Sequence, residues 1–351
     1  MVKEVLIVQR ILPSYRVPVF GGISNLTDSN VTIFAEGASA DYGDNEYQGV
    51  KFNFVKAKWK TYLSTFVFDK NILKYFKSND IVFHVADFKF LSLWLILFLN
   101  IFSNKEIFLH GQGGYKRSGV LVRLIYSLGV YLSDGYICYT NYSKIELLKK
   151  IPRSQHYKVS VCENTLVIDP VSEVLANATE PSIFYIGRLR QGCDIGILLD
   201  AAISAGVHVK VIGLGDVDYM EELKRKYSDV ATFYGPVFDE MKQRDIAKSC
   251  IAGAYGGDAG LSVVHYMALG LPVIVHSDIG HHMGPEPSYV QDGINGLLFE
   301  RKSVESLTRK ILLLVNDDKY RYKLALEALA TFNNLSRPSM SEKFCKIMRL
   351  T

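Results

Sequence analysis

The sequence predicts an α/β protein made of two Rossmann-like domains that face each other across a cleft. Three observations predict this. The 351 residues are more than one ordinary core holds and suit two domains of roughly 150–180 residues each. Short apolar runs alternate with helical patterns, as in a parallel sheet covered on both faces. The alternation breaks once, at the polar stretch Val171–Pro181 (VSEVLANATEP), and then restarts. The expected division is residues 1–170, residues 171–335, and a closing segment 336–351 whose helix (Ser339–Arg349) crosses back to the first domain.

In the first series, Val5–Val8, Val31–Ala35, Phe52–Val55, Ile81–His84, Glu106–His110, Gly135–Tyr139 and Val159–Val161 read as strands. Val17–Leu26, Thr65–Lys77, Leu91–Phe102, Ser118–Leu132 and Ser143–Lys150 read as helices, and Gly37–Gly49 as a Gly- and Asp-rich loop. The second series has strands at Ile183–Ile186, Val207–Ile212, Thr232–Tyr234, Ile251–Tyr255 and Pro272–Val275. Its helices are Ile195–Ala205, Glu221–Tyr227, Asp239–Lys248, Leu261–Leu269 and Val304–Asn316. Open α/β sheets bind ligands at the carboxyl ends of their strands, so the chemistry is sought in those loops.

Bulk properties narrow the classes. Five scattered cysteines, never two residues apart, exclude a zinc ribbon or CxxC site and argue against a disulfide framework. The start runs straight into a strand without a signal-peptide layout, so a reducing cytoplasm is the expected setting. The net charge of +4 is uneven: residues 1–165 carry 20 Lys and Arg against 13 Asp and Glu. A basic half suits an anionic surface or substrate; without a recognised binding module, nucleic acid is not an expected partner. Phe90–Phe102 is almost wholly apolar but, at 13 residues, short of the ~20 that a spanning helix needs. It is either a buried helix packed on a sheet or a helix lying in a membrane surface.

Gly187-Arg188-Leu189-Arg190 closes the first strand of the second series. Glycine lets backbone approach a ligand, and arginine offers a planar fork of donors for a diphosphate; either arginine could equally make a surface ion pair. Tyr255–Val275 (YGGDAGLSVVHYMALGLPVIV) places a Gly-rich turn before a helix that starts near Gly260 and Leu261. Free amides at such a terminus favour an anion, and His265 then lies one turn in, where it meets a ribose or simply packs. Other patterns are discounted. Gly213-Leu214-Gly215 lacks a third glycine at Asp218, and Gly21-Gly22 falls inside a helix. His281 and His282 have no third metal ligand, and no Asp-x-Asp follows a strand.

In order, the strand with GRL, then VIGLGD, FYGPV, GLSVVHYMALGLPVI and DGINGLLF resemble the donor domain of glycosyltransferase family 4 across Ile183–Phe299. RILPSYRVPVF (Arg10–Phe20) and HGQGG (His110–Gly114) are similar to acceptor domains of relatives that build bacterial surface polysaccharides. The resemblance implies the GT-B fold and metal-independent transfer of a hexose-like sugar, with retention, from a UDP- or GDP-sugar to a saccharide or lipid-linked saccharide. The nucleotide sugar is a substrate, and no cofactor or metal is expected. It further implies that Gly187, Arg188, Arg190 and the amides at Gly260 and Leu261 hold the diphosphate, that His265 meets the ribose, and that Gly235 and Val237 border the base. His110 would stand near the donor sugar, or merely anchor a loop; Tyr15 and Arg16 would meet the acceptor, with Arg16 equally readable as a surface charge.

The sequence departs from the family at three points. The two usual glutamates are Gly257 and His265, and a usual lysine is Cys193. Glu286, in a Gly-Pro-Glu segment shared with one branch of the family, would take over a carboxylate role, and Arg190 the missing positive charge. Two other functions stay open: a nucleotide-sugar epimerase of similar fold, and a non-catalytic nucleotide-sugar-binding protein. The expected place is the cytoplasm, with a peripheral position on the inner face of the cell membrane if an anionic surface is a partner.

Overall fold

The computed structural model describes residues 2–37, 51–174, 181–190 and 193–351. The expected loop over 37–49, past Gly37, and linker residues 175–180 lie outside the described residues. The chain forms two compact units, Met1–Val167 with Pro338–Thr351, and Ile168–Arg337.

The first unit runs β1 (Glu4–Ile11), α1 (Val17–Leu26), β2 (Asn30–Glu36), β3 (Asn53–Lys56), β4 (Lys60–Tyr62), β5 (Phe66–Phe68), α2 (Ile72–Ser78), β6 (Ile81–Val85), α3 (Leu91–Asn100), β7 (Glu106–Gly111), α4 (Val120–Leu132), β8 (Gly135–Cys138), α5 (Asn141–Leu148) and β9 (Val159–Val161). Seven strands make one sheet in the order β3-β2-β1-β6-β7-β8-β9, with parallel pairs such as Val5 with Val31 and Val5 with Ile81. Its strands are apolar on both faces because both faces are covered. Leu6 and Val8 join one core with Phe34, Val82 and Leu109; Val5 and Ile7 join the other with Ile33, Phe83 and Phe108.

Thr65–Lys77, expected as one helix, is two elements. Phe66–Phe68 pairs antiparallel with Lys60–Tyr62, and the helix begins only at Ile72. Buried Asp69 makes the break: its carboxylate accepts the amides of Lys58 (2.7 Å) and Asn71 (2.9 Å), holding the chain in a turn where a helix would continue.

The second unit runs β10 (Ser182–Ile186), α6 (Ile195–Ala205), β11 (His208–Ile212), α7 (Val217–Tyr227), β12 (Ala231–Gly235), α8 (Glu240–Ala247), β13 (Cys250–Ala254), α9 (Ser262–Ala268), β14 (Val273–His276), β15 (Gly296–Phe299), α10 (Val304–Asn316) and α11 (Asp318–Ser336). Its sheet has the order β12-β11-β10-β13-β14-β15, all parallel. β15 and the 19-residue α11 are additions to the expected elements. In this sheet the strand order reverses between β10 and β13, and in the first between β1 and β6, the places where open α/β sheets leave a ligand crevice.

The last helix, α12 (Met340–Ile347), begins with a capping box between Ser339 and Glu342 and belongs to the first unit. It lies against α1: Ser341 Oγ donates to the Val19 carbonyl at 2.7 Å. Gly22 makes the fit, since a Cβ there would stand 2.9 Å from Ser341 Cβ. Gly22 is thus a helical packing residue, and Gly21 is buried in the same helix. Leu93, Ile96 and Leu97 of α3 are fully buried, so the apolar run Phe90–Phe102 supplies core on one face. Among the described residues no helix is long and apolar enough to cross a membrane.

Candidate functional site

At the carboxyl edge of the second sheet, β10 leads into Gly187-Arg188-Leu189-Arg190. The Gly187 amide donates to the Ile212 carbonyl (3.0 Å) and the Leu189 amide to Leu214 (2.8 Å), so this segment extends the sheet beside the loop after β11. Leu189 is buried, and in extended backbone its neighbours project to the other side. Arg188 is half-buried and Arg190 exposed. The Tyr185 hydroxyl donates to the Arg188 carbonyl at 2.9 Å, fixing the backbone that carries the first arginine. Arg190 Nη2 stands 3.0 Å from Met283 Sδ.

The Gly-rich turn follows β13, across the reversal point from Gly187. A Cβ on Gly187 would come within 2.9 Å of the Tyr255 ring. At Gly257 a Cβ would lie 2.5 Å from the Cys193 carbonyl oxygen and 2.8 Å from Asp194 Cβ. A side chain at position 257 would have to displace this backbone. Cys193, where the resemblance expects lysine, is fully buried.

Two histidines brace this turn from behind. His282 Nδ1 accepts the Ala259 amide at 3.1 Å, which leaves its proton on Nε2 to donate to the His276 carbonyl at 2.9 Å. The His276 and His282 rings stack with centroids 3.6 Å apart. His276 Nε2 lies 3.2 Å from the Asp258 carboxylate, which Arg301 also reaches at 3.4 Å. Burial lowers the pKa of His276 against the opposing pull of Asp258. His281 is exposed and pairs instead with Asp278 at 2.7 Å. Sequence reasoning missed His276, His282 and Asp258 as a brace. The one available signal was a histidine ending the buried strand PVIVH.

The Met283 amide donates to the Ala259 carbonyl at 2.8 Å, tying the turn to Met283-Gly284-Pro285-Glu286. Gly260 faces Met283 and Gly284, and the Glu286 carboxylate, 3% exposed, folds over Gly284. Arg190, Gly260 and Glu286 are therefore brought together through this segment. The helix after the turn is short: α9 has seven residues, and Leu261 before it offers no side-chain cap. His265 on α9 is half-buried, and burial plus the Arg244 charge hold its pKa at about 4, so its ring is neutral near pH 7. Gly235 ends β12 with φ +70°, its carbonyl accepting the Gly213 amide at 3.0 Å; the Val237 carbonyl accepts from Gln243 at 2.6 Å. A cavity of about 300 Å³ in this unit lies at the opposite, amino edge, by Val171, Arg244, Pro272 and Arg321.

In the first unit His110 sits near the end of β7, 2% exposed, between the rings of Phe83, Tyr139 and Phe344. Burial, then the nearby Arg16 charge, keep its pKa well below the usual 6.5; among the described residues its Nε2 has no hydrogen-bond partner. Arg16 is buried, its guanidinium held by Asn164 and Met340 Sδ and lying 5.8 Å from the Tyr139 ring centre. It is a brace inside the unit, while the adjacent Tyr15 is 37% exposed. A cavity of about 330 Å³ opens at the same carboxyl edge, lined among others by Lys89, Lys116, Arg117, Tyr115 and Tyr126.

Residues 180–317 match the family described as "Glycosyl transferases group 1". The chain is 25% identical over 337 residues to an uncharacterized glycosyltransferase, MJ1178, of Methanocaldococcus jannaschii, covering 91% of this chain and 92% of that protein. Its fold is similar to Anabaena Alr3699/HepE, solved in complex with UDP and glucose (TM-score 0.69, 14% identity, 99% of this chain and 100% of that one). It is also similar to sucrose-phosphate synthase from Thermosynechococcus elongatus (TM-score 0.72, 15% identity, 99% and 98%). The structural likenesses establish two Rossmann-like domains of the GT-B kind, and the match over residues 180–317 of the second unit supports a glycosyltransferase.

Proposed function

We propose that the chain is a retaining glycosyltransferase of the family 4 type that moves a hexose-like sugar from a UDP- or GDP-sugar to a saccharide or lipid-linked saccharide in surface-polysaccharide synthesis. The observation that carries the reading lies inside the matched region 180–317: Arg190 reaches Met283, which faces Gly260, and Arg188 precedes it on the segment that continues β10 at the reversal point of the second sheet. Two arginines and free amides suit a diphosphate. Glu286, held over Gly284, supplies a carboxylate where Gly257 leaves none. His265 would meet the ribose, and Gly235 and Val237 the base. His110 would stand near the donor sugar and the reaction centre, and Tyr15, beside the wall that Arg16 braces, would meet the acceptor.

Retention follows from front-side attack. The bond from the anomeric carbon to the phosphate oxygen breaks as the acceptor oxygen bonds to the same face, and the departing diphosphate oxygen takes the acceptor proton. Fixed donors that meet the leaving charge supply the stabilisation. In EDTA, nucleotide diphosphate release from a UDP- or GDP-sugar should therefore persist and should depend on a saccharide acceptor. Complete loss restored by a divalent ion would overturn the metal-independent part. Conversion of donor without acceptor would identify an epimerase, and binding without release under every acceptor a non-catalytic protein.

His265→Ala should weaken nucleotide affinity by roughly tenfold, the cost of one lost hydrogen bond of about 1–1.5 kcal/mol. Because the folded-state pKa is about 4, this contribution should be flat from pH 6 to 8. Calorimetry decides: unchanged affinity with a lowered melting temperature would make His265 a packing residue.

A further inference from the structure

We propose that the first-unit cavity beyond the ends of β6 and β7 binds a negatively charged saccharide, one whose ring carries a carboxylate or a phosphate, as the acceptor. That the bound saccharide is the acceptor rests on the glycosyltransferase reading. The preference for charge rests on the cavity by itself.

The walls are fixed by close aromatic packing. The Tyr126 ring of α4 lies so near Gly114 that a Cβ there would stand 2.5 Å from it, and Gly129, one turn along α4, makes room in the same way for the Phe88 ring. Phe88 and Tyr126 meet edge to face with centroids 4.9 Å apart. Trp94 Nε1 donates to the Phe88 carbonyl at 3.0 Å, and the Gly113 amide to the Tyr136 hydroxyl at 3.1 Å. These contacts lock the loops after β6 and β7 around a space of about 330 Å³, within the range of ligand cavities.

Charge selects the occupant. Lys89, Lys116 and Arg117 line the cavity, and among its lining residues Asp87 is the one carboxylate. Asp87 Oδ1 accepts the Lys89 amide at 3.1 Å. The backbone under two of the cations is pinned: the Lys89 carbonyl accepts the Val67 amide at 3.0 Å, and the Arg117 amide donates to Gly114 at 2.9 Å. Among the described residues neither Lys89 nor Arg117 forms an ion pair. Cations placed without a protein counter-charge suit an anion, and the arginine fork suits a carboxylate or phosphate. Burial, against the nearby Arg117 charge, pushes the Tyr126 hydroxyl up to about 12, so it stays a donor at neutral pH. Tyr115, Tyr126 and Tyr139 complete the lining, and tyrosine, apolar on its face and polar at its tip, suits a sugar ring.

Calorimetry on the full chain without donor should compare the methyl glycosides of glucose, galactose and mannose with the matching methyl uronides and 6-phosphates. In at least one set a charged member should bind about tenfold or more tighter than its neutral partner, and salt should weaken the difference. The stronger of the two charged arms names the anion. Arg117→Gln and Lys89→Gln should each remove most of that difference and melt like wild type, whereas Arg123→Gln, the same charge change on α4 outside the cavity, should keep it. Binding of none of the probes, equal binding of charged and neutral members, or equal loss from Arg123→Gln overturns the proposal. So does loss from Arg188→Ala with none from Arg117→Gln, which would put the anion in the diphosphate site. With a nucleotide sugar added, transfer to neutral glycosides alone would sink the charged acceptor and leave the proposed function standing. Charged-sugar binding lost in Arg117→Gln, with no transfer from any donor, would uphold the site and sink the proposed function.

Discussion

Arg188→Ala should lower kcat by a factor on the order of 10²–10³, the usual cost of removing one fixed donor from a developing negative charge, with the second unit still folded. The two expectations separate because different atoms carry them. The backbone here is held by the Gly187 and Leu189 amides on the β11 side and by the Tyr185 hydroxyl on the Arg188 carbonyl, none of which involves the guanidinium. Arg188→Lys should recover only part of the loss, because an ammonium keeps the charge but not the planar fork that meets two phosphate oxygens at once. Near-normal turnover in the purified alanine variant would remove Arg188 from the diphosphate site. A collapsed melting transition would instead assign the side chain to packing.

The sheets were legible because a doubly covered parallel strand has a simple signature. Val159–Val161, Val17–Leu26, Ile195–Ala205 and Val304–Asn316 stand at the expected bounds, and most other elements lie within a few residues of them. Errors fell where a polar side chain, rather than apolar periodicity, decides the structure. Nothing in the spacing of Thr65–Lys77 announces that Asp69 will turn inward to take two backbone amides. α11 was hidden for another reason: its buried face includes Ala325 and Ala328, small residues that leave a faint stripe among flanking charges.

The candidate site was legible in its glycines and arginines and not in what supports them. A Gly-rich turn after a buried strand is a local pattern, so Tyr255–Gly260 could be read directly. The His276 and His282 stack joins residues six apart on different segments, and its link to Ala259 crosses 23 positions. Such contacts have no periodicity to reveal them. Close packing was equally invisible: Gly257 reads as a lost carboxylate, and only the nearness of Cys193 and Asp194 shows that a Cβ there would press on neighbouring backbone.

Gly215→Ala should destabilise the second unit by about 1–3 kcal/mol, the range for forcing a methyl into packed structure, and should also depress transfer in the molecules that remain folded. In the sequence Gly213-Leu214-Gly215 is only an incomplete dinucleotide fingerprint. The structure gives both glycines a different task. A Cβ on Gly215 would overlap the Leu189 carbonyl oxygen and lie 2.6 Å from its carbon, and one on Gly213 would overlap the Gly187 carbonyl oxygen. These neighbours are backbone, so neither can swing aside, and Leu189 is 1% exposed and cannot retreat without opening a cavity. At the start of α7 the Asp216 carboxylate caps the helix, accepting the Tyr219 amide at 3.0 Å. The glycines instead let Gly187–Arg190 lie flat on the β11 loop, which aims Arg188 and Arg190. Displacing that segment should reach the arginines, so kcat should fall beyond what the folded fraction explains. Gly280→Ala is the matched control, its nearest neighbour Asp278 Oδ1 at an ordinary 3.6 Å, and it should melt like wild type within about 0.5 kcal/mol. Equal melting temperatures and equal turnover for the two variants would show that the pairing of Leu189 with Gly215 neither holds the unit nor positions the arginines.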